Sequence, residues 1–489
     1  MFESAELGHK VSKEVYGERL PTLRLDLLRL QRELEGRDFP VIILINGVDG
    51  AGKGDVIHRL NEWLDARFVE TTAFAAPTED ERERPPSWRF WMALPPKGRM
   101  AIFFGSWYSQ PILDRVYGEL DDLELERELQ RIAAMERMLV EDGALIVKFW
   151  LHLSKKDQKA RLKKLESKKK TRWRVTKEDW RNHKRYDAFR DVCERVLRGT
   201  STGAAPWRVV EGRDKRYRAL TVGEALVEAM TLRLARPAHE PGSPEPKPEP
   251  PLRRTVLDRV DLTRRLERDD YESQLEALQG RLAKLSRKLP EQKRGLLLVF
   301  EGWDAAGKGG AIRRLVSALD MRRVKLIPVA KPTDEEAARH YLWRFWRHLP
   351  RRGFVTIYDR SWYGRVLVER VEGFADRAAW SRAYSEINDF EDRLSEHGLI
   401  LEKFWVHISK EEQERRFLER QETPWKRHKL TDEDWRNREK WDQYLLAADD
   451  MVSRTSTSAA PWTLVEGNDK RHARVRILET VVNRLEREL

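Results

Sequence analysis

Residues 296–310 read LLLVFEGWDAAGKGG, an apolar run followed by a loop rich in glycine. An apolar run of this length that ends at a glycine is typical of a buried strand, and the pattern from Gly310 onward is typical of a helix. A strand, a G-x-x-x-x-G-K loop and a helix in this order bind anions, because backbone N–H groups and the amino end of the helix face the same point. The segment therefore predicts an α/β fold with a phosphate site at the loop.

Three further short apolar runs follow this loop, at 324–329, 354–358 and 399–408, with helical patterns between them. Short, nearly continuous apolar strands that alternate with helices predict a parallel sheet covered by helices on both faces. In such sheets ligands bind beyond the carboxyl ends of the strands. We therefore expect the loop and Asp359, which follows the second of these runs, to meet in one crevice.

The same pattern occurs twice in the chain. Residues 47–54 (GVDGAGKG) match residues 302–309 (GWDAAGKG), an offset of 302 − 47 = 255 residues. The tracts WRFW, SWY, KFW, WRN and APW recur at the same offset, so the register holds from the first loop to the last tract without a net gap. A repeat of this length indicates a domain duplication. Residues 237–254 between the copies are rich in proline and predict an extended linker, so we expect domains at 1–236 and 255–489.

Charge and cysteine content limit the classes of protein that fit. The net charge of +12 favours polyanionic partners, unless it only reflects a solvated basic surface. The single cysteine, Cys193, excludes a disulfide framework and a multi-cysteine metal site. No stretch approaches the roughly 18 apolar residues of a membrane span, and the first thirty residues lack the apolar core of a signal peptide. These features predict a cytoplasmic protein with no membrane partner.

The loop of the second copy carries the residues expected to contact phosphate and metal. Its backbone contacts to phosphate are expected from Gly302, Ala305, Ala306, Gly307 and Gly309, and Lys308 adds a mobile positive charge. Because Gly309 replaces the usual Ser or Thr after the lysine, the hydroxyl that normally helps to hold Mg²⁺ is missing. The oxygen donors that can replace it are Asp304 and Asp359.

Arg360, next to Asp359, can contact the charge that develops on a transferred phosphoryl group. We therefore predict a catalytic set consisting of Asp304, Lys308, Asp359 and Arg360, with Asp304 and Asp359 as Mg²⁺ ligands. Simpler interpretations stay open: Asp359 and Arg360 as a structural ion pair, and Asp304 as a side chain that stabilises the turn.

Further basic residues of the second copy are candidates for phosphate contacts. The segment KRHK at 426–429 predicts a lid, in which Lys426, Arg427 and Lys429 close over the phosphates and exclude water. A solvated basic loop is the alternative interpretation. Arg365 and Arg370 are additional candidates for holding donor or acceptor phosphates.

The first copy departs from this pattern. It keeps Lys53 and Asp49 but has Phe104 and Gly105 where the second copy has Asp359 and Arg360. Loss of a predicted metal ligand removes a contact that phosphoryl transfer depends on. We predict that the first copy does not catalyse, and that it either grips a phosphate chain or takes the place of a partner subunit.

The second copy resembles the polyphosphate kinase 2 family. The resemblance is carried by the tracts GWDAAGKGG (302–310), KPT (331–333), YLWRFW (341–346), YDRSWYGR (358–365), VERVEGF (368–374), EINDFE (386–391), KFWVHISKEEQ (403–413), TDEDW (431–435) and APW (460–462). The two-copy layout is similar to the fused class of that family. The resemblance implies Mg²⁺-dependent transfer of the terminal phosphate of inorganic polyphosphate to AMP, which gives ADP, with catalysis in the second copy.

The resemblance also implies a fold and a set of roles. The fold is two tandem P-loop kinase-like (thymidylate-kinase-like) α/β domains, each a parallel sheet sandwiched by helices with a helical lid. The resemblance places the four predicted catalytic residues at the catalytic positions of the family, and it places residues 426–429 in the lid of the family.

Two other functions stay open at this point. An ATP-dependent nucleoside monophosphate kinase shares the loop, the DR tract and the lid, and differs in its donor. A polyphosphate-binding protein without turnover would be favoured if both copies lacked Asp359. Nucleic acid is not expected as a partner, because the tryptophans have core-like placements rather than those of a stacking platform. The sequence leaves open the preference among nucleotides, the net direction of transfer and assembly into homo-oligomers.

Overall fold

The computed structural model describes residues 1–236, 255–429 and 432–489, and the predicted linker at 237–254 lies outside them. The described chain divides into two compact units. One consists of residues 1–77, 89–236 and 334–340, and the other of residues 78–88, 255–333 and 341–489.

The first repeat contains a five-stranded parallel sheet in the order β2-β3-β1-β4-β5. Its strands are β1 Val41–Gly47, β2 Val69–Ala73, β3 Met100–Phe104, β4 Leu145–His152 and β5 Trp207–Glu211. Its helices are α1 Lys13–Leu34, α2 Lys53–Trp63, α3 Glu79–Arg82, α4 Trp88–Met92, α5 Ser109–Tyr117, α6 Asp122–Glu141, α7 Lys155–Glu166, α8 Lys177–Lys184, α9 Tyr186–Thr200 and α10 Lys215–Leu234, with 3₁₀ turns at Phe2–Ala5 and Arg172–Arg174.

The second repeat contains an equivalent sheet in the order β7-β8-β6-β9-β10. Its strands are β6 Gly295–Gly302, β7 Val324–Pro328, β8 Val355–Asp359, β9 Leu399–His407 and β10 Trp462–Glu466. Its helices are α11 Arg268–Ser286, α12 Lys308–Val316, α13 Asp334–Ala337, α14 Trp343–Trp346, α15 Val368–Val371, α16 Arg377–Glu396, α17 Lys410–Glu422, α18 Asp432–Glu439, α19 Trp441–Thr455 and α20 Lys470–Glu488, with 3₁₀ turns at Val256–Arg259, Met321–Arg323, Trp362–Arg365 and Pro424–Lys429.

The apolar runs 296–301 and 399–408 could be predicted as strands because they form two inner strands of the second sheet. Strands β6 and β9 are buried along nearly their whole length, since each lies between two other strands and under helices on both faces. All pairs in both sheets are parallel, so the carboxyl ends of the strands meet at one edge of each sheet. The α/β class, the duplication and the parallel sheet predicted from the sequence are confirmed. Within the part of the chain that the structure describes, no helix combines the length and the apolar character needed to cross a lipid bilayer.

A buried ion pair fixes the segment after β8 in the second repeat. The Lys403 ammonium donates to Glu391 at 2.7 Å and to the Tyr363 hydroxyl at 2.8 Å, and all three side chains are buried. The Trp362 indole N–H donates to the other oxygen of Glu391 at 3.0 Å. The repeated SWY and KFW tracts therefore anchor the chain immediately after Asp359 and Arg360.

We expect Lys403→Met to lower the free energy of unfolding by about 3–5 kcal/mol, because it leaves the Glu391 carboxylate buried without a cation. Urea denaturation followed by tryptophan fluorescence measures this change. Lys148→Met is the matched variant, since Lys148 and Glu136 form the same pair in the first repeat at 2.7 Å. A loss below about 1 kcal/mol in both variants would contradict this assignment.

Candidate phosphoryl-transfer site

The glycine loop of the second repeat joins β6 to α12 and has a backbone that few residues allow. Gly302 has φ +137°, and a Cβ atom at this position would lie 2.4 Å from the carbonyl oxygen of Val406. Gly307 has φ +109° and directly precedes α12. The loop therefore directs its N–H groups and the amino end of α12 to one side, which is the arrangement that binds phosphate oxygens.

Lys308 lies along the inside of this loop. Its ammonium donates to the carbonyl oxygens of Gly302 at 2.6 Å and Trp303 at 3.1 Å. Burial lowers the pKa of Lys308, and the nearby Asp304 carboxylate opposes this shift. The side chain is thus held at the loop as a positive charge for an incoming phosphate.

Asp304 is held by two side chains from different elements. Arg360 donates to one carboxylate oxygen at 2.9 Å and Asn437 donates to the other at 3.1 Å. Burial opposes ionisation of Asp304, but the charges of Lys308 and Arg360 outweigh it and lower the pKa of this carboxyl. Asp304 is therefore an ionised oxygen donor beside the loop.

Arg360 has a strained backbone that points to a role for its side chain. Its φ is +63°, a left-handed conformation that costs residues with a Cβ atom of order 1–3 kcal/mol. The first repeat has Gly105 at this position, with φ +74° and no such cost. Arg360 is nevertheless present in the second repeat, where its guanidinium reaches Asp304.

Asp359 ends β8 beside β6, the strand that leads into the loop, and is paired in register with Phe300. It lines the same cavity as Asp304 and Lys308. Two carboxylates that leave room for phosphate oxygens suit Mg²⁺, which commonly uses one or two protein carboxylates together with substrate phosphates. The donor set present in this structure therefore fits the predicted metal.

The cavity over the loop has a volume of about 570 Å³ and a basic lining. Its cationic residues are Lys308, Arg313, Arg360, Arg416, Arg420, Lys470 and Arg474, and its carboxylates are Asp304, Asp359, Glu419 and Asp434. Arg416 is committed to the loop itself, because it donates to the carbonyl oxygens of Ala305 and Ala306 at 2.9 and 2.8 Å. A polyanion entering this cavity would meet an excess of positive charge.

A second, small cavity of about 80 Å³ lies on the other side of Asp304 and Arg360. Glu301 contributes to its lining, is buried, and accepts a hydrogen bond from the Ser361 hydroxyl at 2.8 Å. Burial raises the pKa of Glu301, although the Ser361 hydrogen bond and the Lys308 charge act in the opposite direction. The Asp304–Arg360 pair thus separates a basic cavity from a smaller mixed one.

Several of these residues were not predicted as part of the site. Asn437 belongs to the repeated WRN tract, and Glu301 lies in β6 directly before Gly302. Both positions can be compared between the repeats, but neither residue type at its position is a known catalytic motif. The position equivalent to Glu301 in the first repeat is Asn46. Together with the differences at 104 and 105, this difference between the repeats is the feature of the sequence that could have indicated a role for Glu301.

Two predicted phosphate contacts lie elsewhere. Arg365 pairs with Glu369 at 3.2 Å, and its guanidinium lies over the Tyr341 ring. Arg370 donates to Asp450 at 2.7 Å and to the Tyr384 hydroxyl at 2.8 Å. Neither lines the cavity over the loop, so the structure does not bring them to the other site residues.

The predicted lid forms the 3₁₀ turn Pro424–Lys429 between α17 and α18. Arg427 donates from Nε to the carbonyl oxygen of Gln421 at 2.7 Å. The side chains of Lys426 and Lys429 lie outside the described part of the chain. Their contacts to phosphate stay predictions.

The first repeat keeps the loop geometry and its aspartate and lysine, but it lacks the charged residues at positions 104 and 105. Asp49 accepts from Asn182 at 2.9 Å and contacts the Lys53 ammonium at 3.4 Å, as Asp304 contacts Asn437 in the second repeat. Phe104 and Gly105 replace the carboxylate and the guanidinium. The neighbouring positions therefore offer neither the second metal ligand nor the cation.

Comparison with known proteins agrees with this geometry. The sequence model of the family described as polyphosphate kinase 2 matches residues 10–237 and 265–489. A polyphosphate:AMP phosphotransferase of Pseudomonas aeruginosa is 54% identical over 99% of both chains, and one of Acinetobacter johnsonii is 37% identical over 95% of both. A crystal structure from Pseudomonas aeruginosa, of a protein assigned to polyphosphate kinase 2, superposes with a TM-score of 0.90 at 52% identity and covers 100% of this chain and 99% of that one.

Proposed function

Because the chain belongs to the polyphosphate kinase 2 family, we propose that it transfers the terminal phosphoryl group of inorganic polyphosphate to AMP and releases ADP. The observation that carries this proposal is the basic cavity over the loop of the second repeat, beside two carboxylates and Arg360. A phosphate chain has the charge and the repeating oxygens that such a cavity binds.

In this reaction an oxygen of the AMP phosphate attacks the terminal phosphorus of polyphosphate. The bond from that phosphorus to the bridging oxygen breaks, and the chain leaves one phosphate shorter with the bonding electrons on its new terminal oxygen. The loop N–H groups and Lys308 hold the donor chain from the large cavity. Arg360, at the boundary of the two cavities, contacts the charge of the phosphoryl group during transfer. We place the phosphate of AMP on the side of the smaller cavity.

Asp304 and Asp359 are the residues that would hold Mg²⁺. When bound, the ion neutralises charge on the phosphate oxygens. Arg360 contacts one oxygen of the Asp304 carboxylate and Asn437 contacts the other. Each oxygen keeps a second lone pair that can bind the metal. Residues 255–489 then form the catalytic domain, residues 1–236 a non-catalytic one, and residues 237–254 the connection between them.

The proposal is tested by nucleotide product formation with the purified full-length chain and Mg²⁺. AMP, GMP, ADP and GDP are each offered with polyphosphate or with ATP as the donor. ADP formed from AMP and polyphosphate is the expected result. Turnover with ATP alone would indicate a nucleoside monophosphate kinase, and tight polyphosphate binding without turnover would indicate a binding protein; either result would overturn the proposal.

Donor binding should depend on salt more strongly than acceptor binding. We expect the KM for polyphosphate to rise about threefold or more between roughly 0.05 and 0.3 M NaCl, because salt screens the attraction between a long polyanion and a partly exposed basic cavity. The KM for AMP, which carries far less charge, should change less. Initial rates at several salt concentrations measure both constants, and equal changes in the two would contradict the placement of the donor.

A further inference from the structure

The first repeat contains a cavity of about 450 Å³ at the carboxyl ends of β1, β3 and β4. It spans counterparts of both cavities of the second repeat, because Lys53, Phe74 and Phe104 stand at the positions of Lys308, Val329 and Asp359, which line the cavity over the second loop. Each residue that lines the small cavity of the second repeat has its counterpart, 255 residues earlier, in the lining of this cavity of the first repeat. The cavity of the first repeat lies within the size range of small-molecule sites, whereas the one of 80 Å³ lies below it.

Part of the larger volume is the space over the loop, and three substitutions to smaller residues lie in the part that corresponds to the small cavity. Val48, Asn46 and Gly105 stand where the second repeat has Trp303, Glu301 and Arg360. In the second repeat the Trp303 ring stacks on Trp441 with ring centroids 3.6 Å apart and fills this region. Removal of an indole and a guanidinium leaves space that the first repeat does not refill.

The charge of this cavity does not suit a phosphate chain. Of the residues that line it, Lys53 is the one Lys or Arg, whereas Asp49, Glu178 and Asp179 carry carboxylates. The Lys53 ammonium contacts Asp49 at 3.4 Å and donates to the carbonyl oxygen of Gly47 at 2.6 Å. Lys53 makes the same contact to the loop as Lys308 makes in the second repeat, but three carboxylates share its cavity.

The anion-binding end of the adjoining helix α2 is also occupied. Asp55, in the first turn of α2, accepts a hydrogen bond from the buried Arg218 guanidinium. The second repeat has Gly310 at this position. A carboxylate near the amino end of a helix uses the same favourable interaction that a phosphate would use. The prediction that the first repeat grips polyphosphate stays a prediction, and the cavity at its loop offers a phosphate chain less positive charge than the cavity over the second loop.

What the cavity does offer is an apolar wall with a few polar groups at one end. The wall includes Phe74, Phe104, Ile112, Leu113 and Phe189. Phe104 lines the cavity and is 36% exposed. The amides of Asn46 and Asn182 and the Asp49 carboxylate lie at the loop end.

We propose that this cavity binds an uncharged purine nucleoside. The planar base packs against Phe104 and the aliphatic wall, and its amino and hydroxyl groups donate to the Asp49 carboxylate and the asparagine amides. The correspondence with an acceptor cavity rests on the proposed function. The volume, the charge and the apolar wall of the first-repeat cavity are independent of that function. The first repeat would then be a nucleoside-binding module that performs no transfer.

The single cysteine of the chain provides a direct test, because Cys193 lines this cavity and is otherwise buried. Burial raises the pKa of its thiol and slows its reaction, so a small reagent, methyl methanethiosulfonate, is used in large excess and labelling is followed over hours. We expect about 1 mM adenosine to slow the labelling of the full chain about tenfold, and polyphosphate to leave it unchanged. The readout requires no turnover, so its failure is distinguishable from failure of the proposed phosphotransfer.

Two variants show whether the cavity is the site. Val48→Trp introduces the residue of the second repeat and should abolish protection by adenosine, as measured also by equilibrium dialysis with radiolabelled adenosine. Leu123→Trp adds the same indole at an exposed position of α6 and should keep protection. If Val48→Trp does not fold, Phe104→Asp, made at a partly exposed position, removes the Phe104 ring from the wall instead. Equal labelling with and without adenosine, or stronger protection by AMP or polyphosphate than by adenosine, would overturn the proposal.

Discussion

Replacement of Asp359 by asparagine should lower kcat for AMP phosphorylation by at least about a thousandfold. The amide keeps the size of the side chain but removes the charge that holds a divalent cation against the phosphate oxygens. Asp359 ends β8 at the surface of the cavity, so its substitution does not disturb the buried pair of Lys403 and Glu391. The loss should therefore appear in turnover and not in folding.

Steady-state rates with AMP and polyphosphate measure this effect, and urea denaturation measures the folding control. The dependence of the residual rate on Mg²⁺ gives a further readout, since a lost ligand should raise the Mg²⁺ concentration for half-maximal activity. Asp320→Asn, in the exposed segment after α12, is a control for a general change of charge. A D359N protein that keeps more than about a tenth of the activity would show that Asp359 is only structural.

Arg360→Gly should also lower kcat about a thousandfold, which is the low end of what an arginine contributes at a transferring phosphoryl group. Glycine is the residue of the first repeat at this position, and Gly105 adopts the same left-handed backbone with φ +74°. The substitution therefore removes the guanidinium without a demand for backbone rearrangement. Relief of the backbone strain should offset part of the lost contact with Asp304.

Arg360→Lys distinguishes charge from geometry. It keeps one positive charge but not the planar fork, so we expect an intermediate loss of about tenfold to a hundredfold. Binding of polyphosphate, followed separately, should change much less than kcat in both variants, because the other cations of the cavity remain. Equal losses in polyphosphate affinity and kcat would indicate that Arg360 holds the donor in the ground state.

Much of the fold was readable because each element obeys a local rule. The runs 296–301 and 399–408 became the two buried central strands, since only a strand covered on both faces tolerates so continuous an apolar sequence. The glycine loop requires a left-handed or closely approached backbone at Gly302 and Gly307, which explains why glycines occupy these positions and why the loop can be placed from the sequence. The duplication was equally clear, because gaps in the register would have appeared as a changing offset.

Residues of the site could be predicted from the sequence only where they belong to a known phosphate-binding or metal-binding pattern. Asp304, Lys308, Asp359 and Arg360 lie together at one edge of the sheet, whereas the roles of Asn437 and Arg416 depend on helices that reach the loop from far along the chain. Arg365 and Arg370 are as basic as the residues that line the cavity but pair with local carboxylates, which sequence spacing does not reveal. The cavity of the first repeat depends on volume left by several substitutions together.

We infer that the second repeat alone takes the phosphate chain and passes its terminal group to AMP. A crystal structure of the full chain grown with polyphosphate, AMP and Mg²⁺ tests it most directly, with D359N used to slow turnover. We expect a phosphate chain over the loop at residues 307–310, with the AMP phosphate on the other side of Arg360. A phosphate chain bound over the first loop, at residues 52–55, would contradict it.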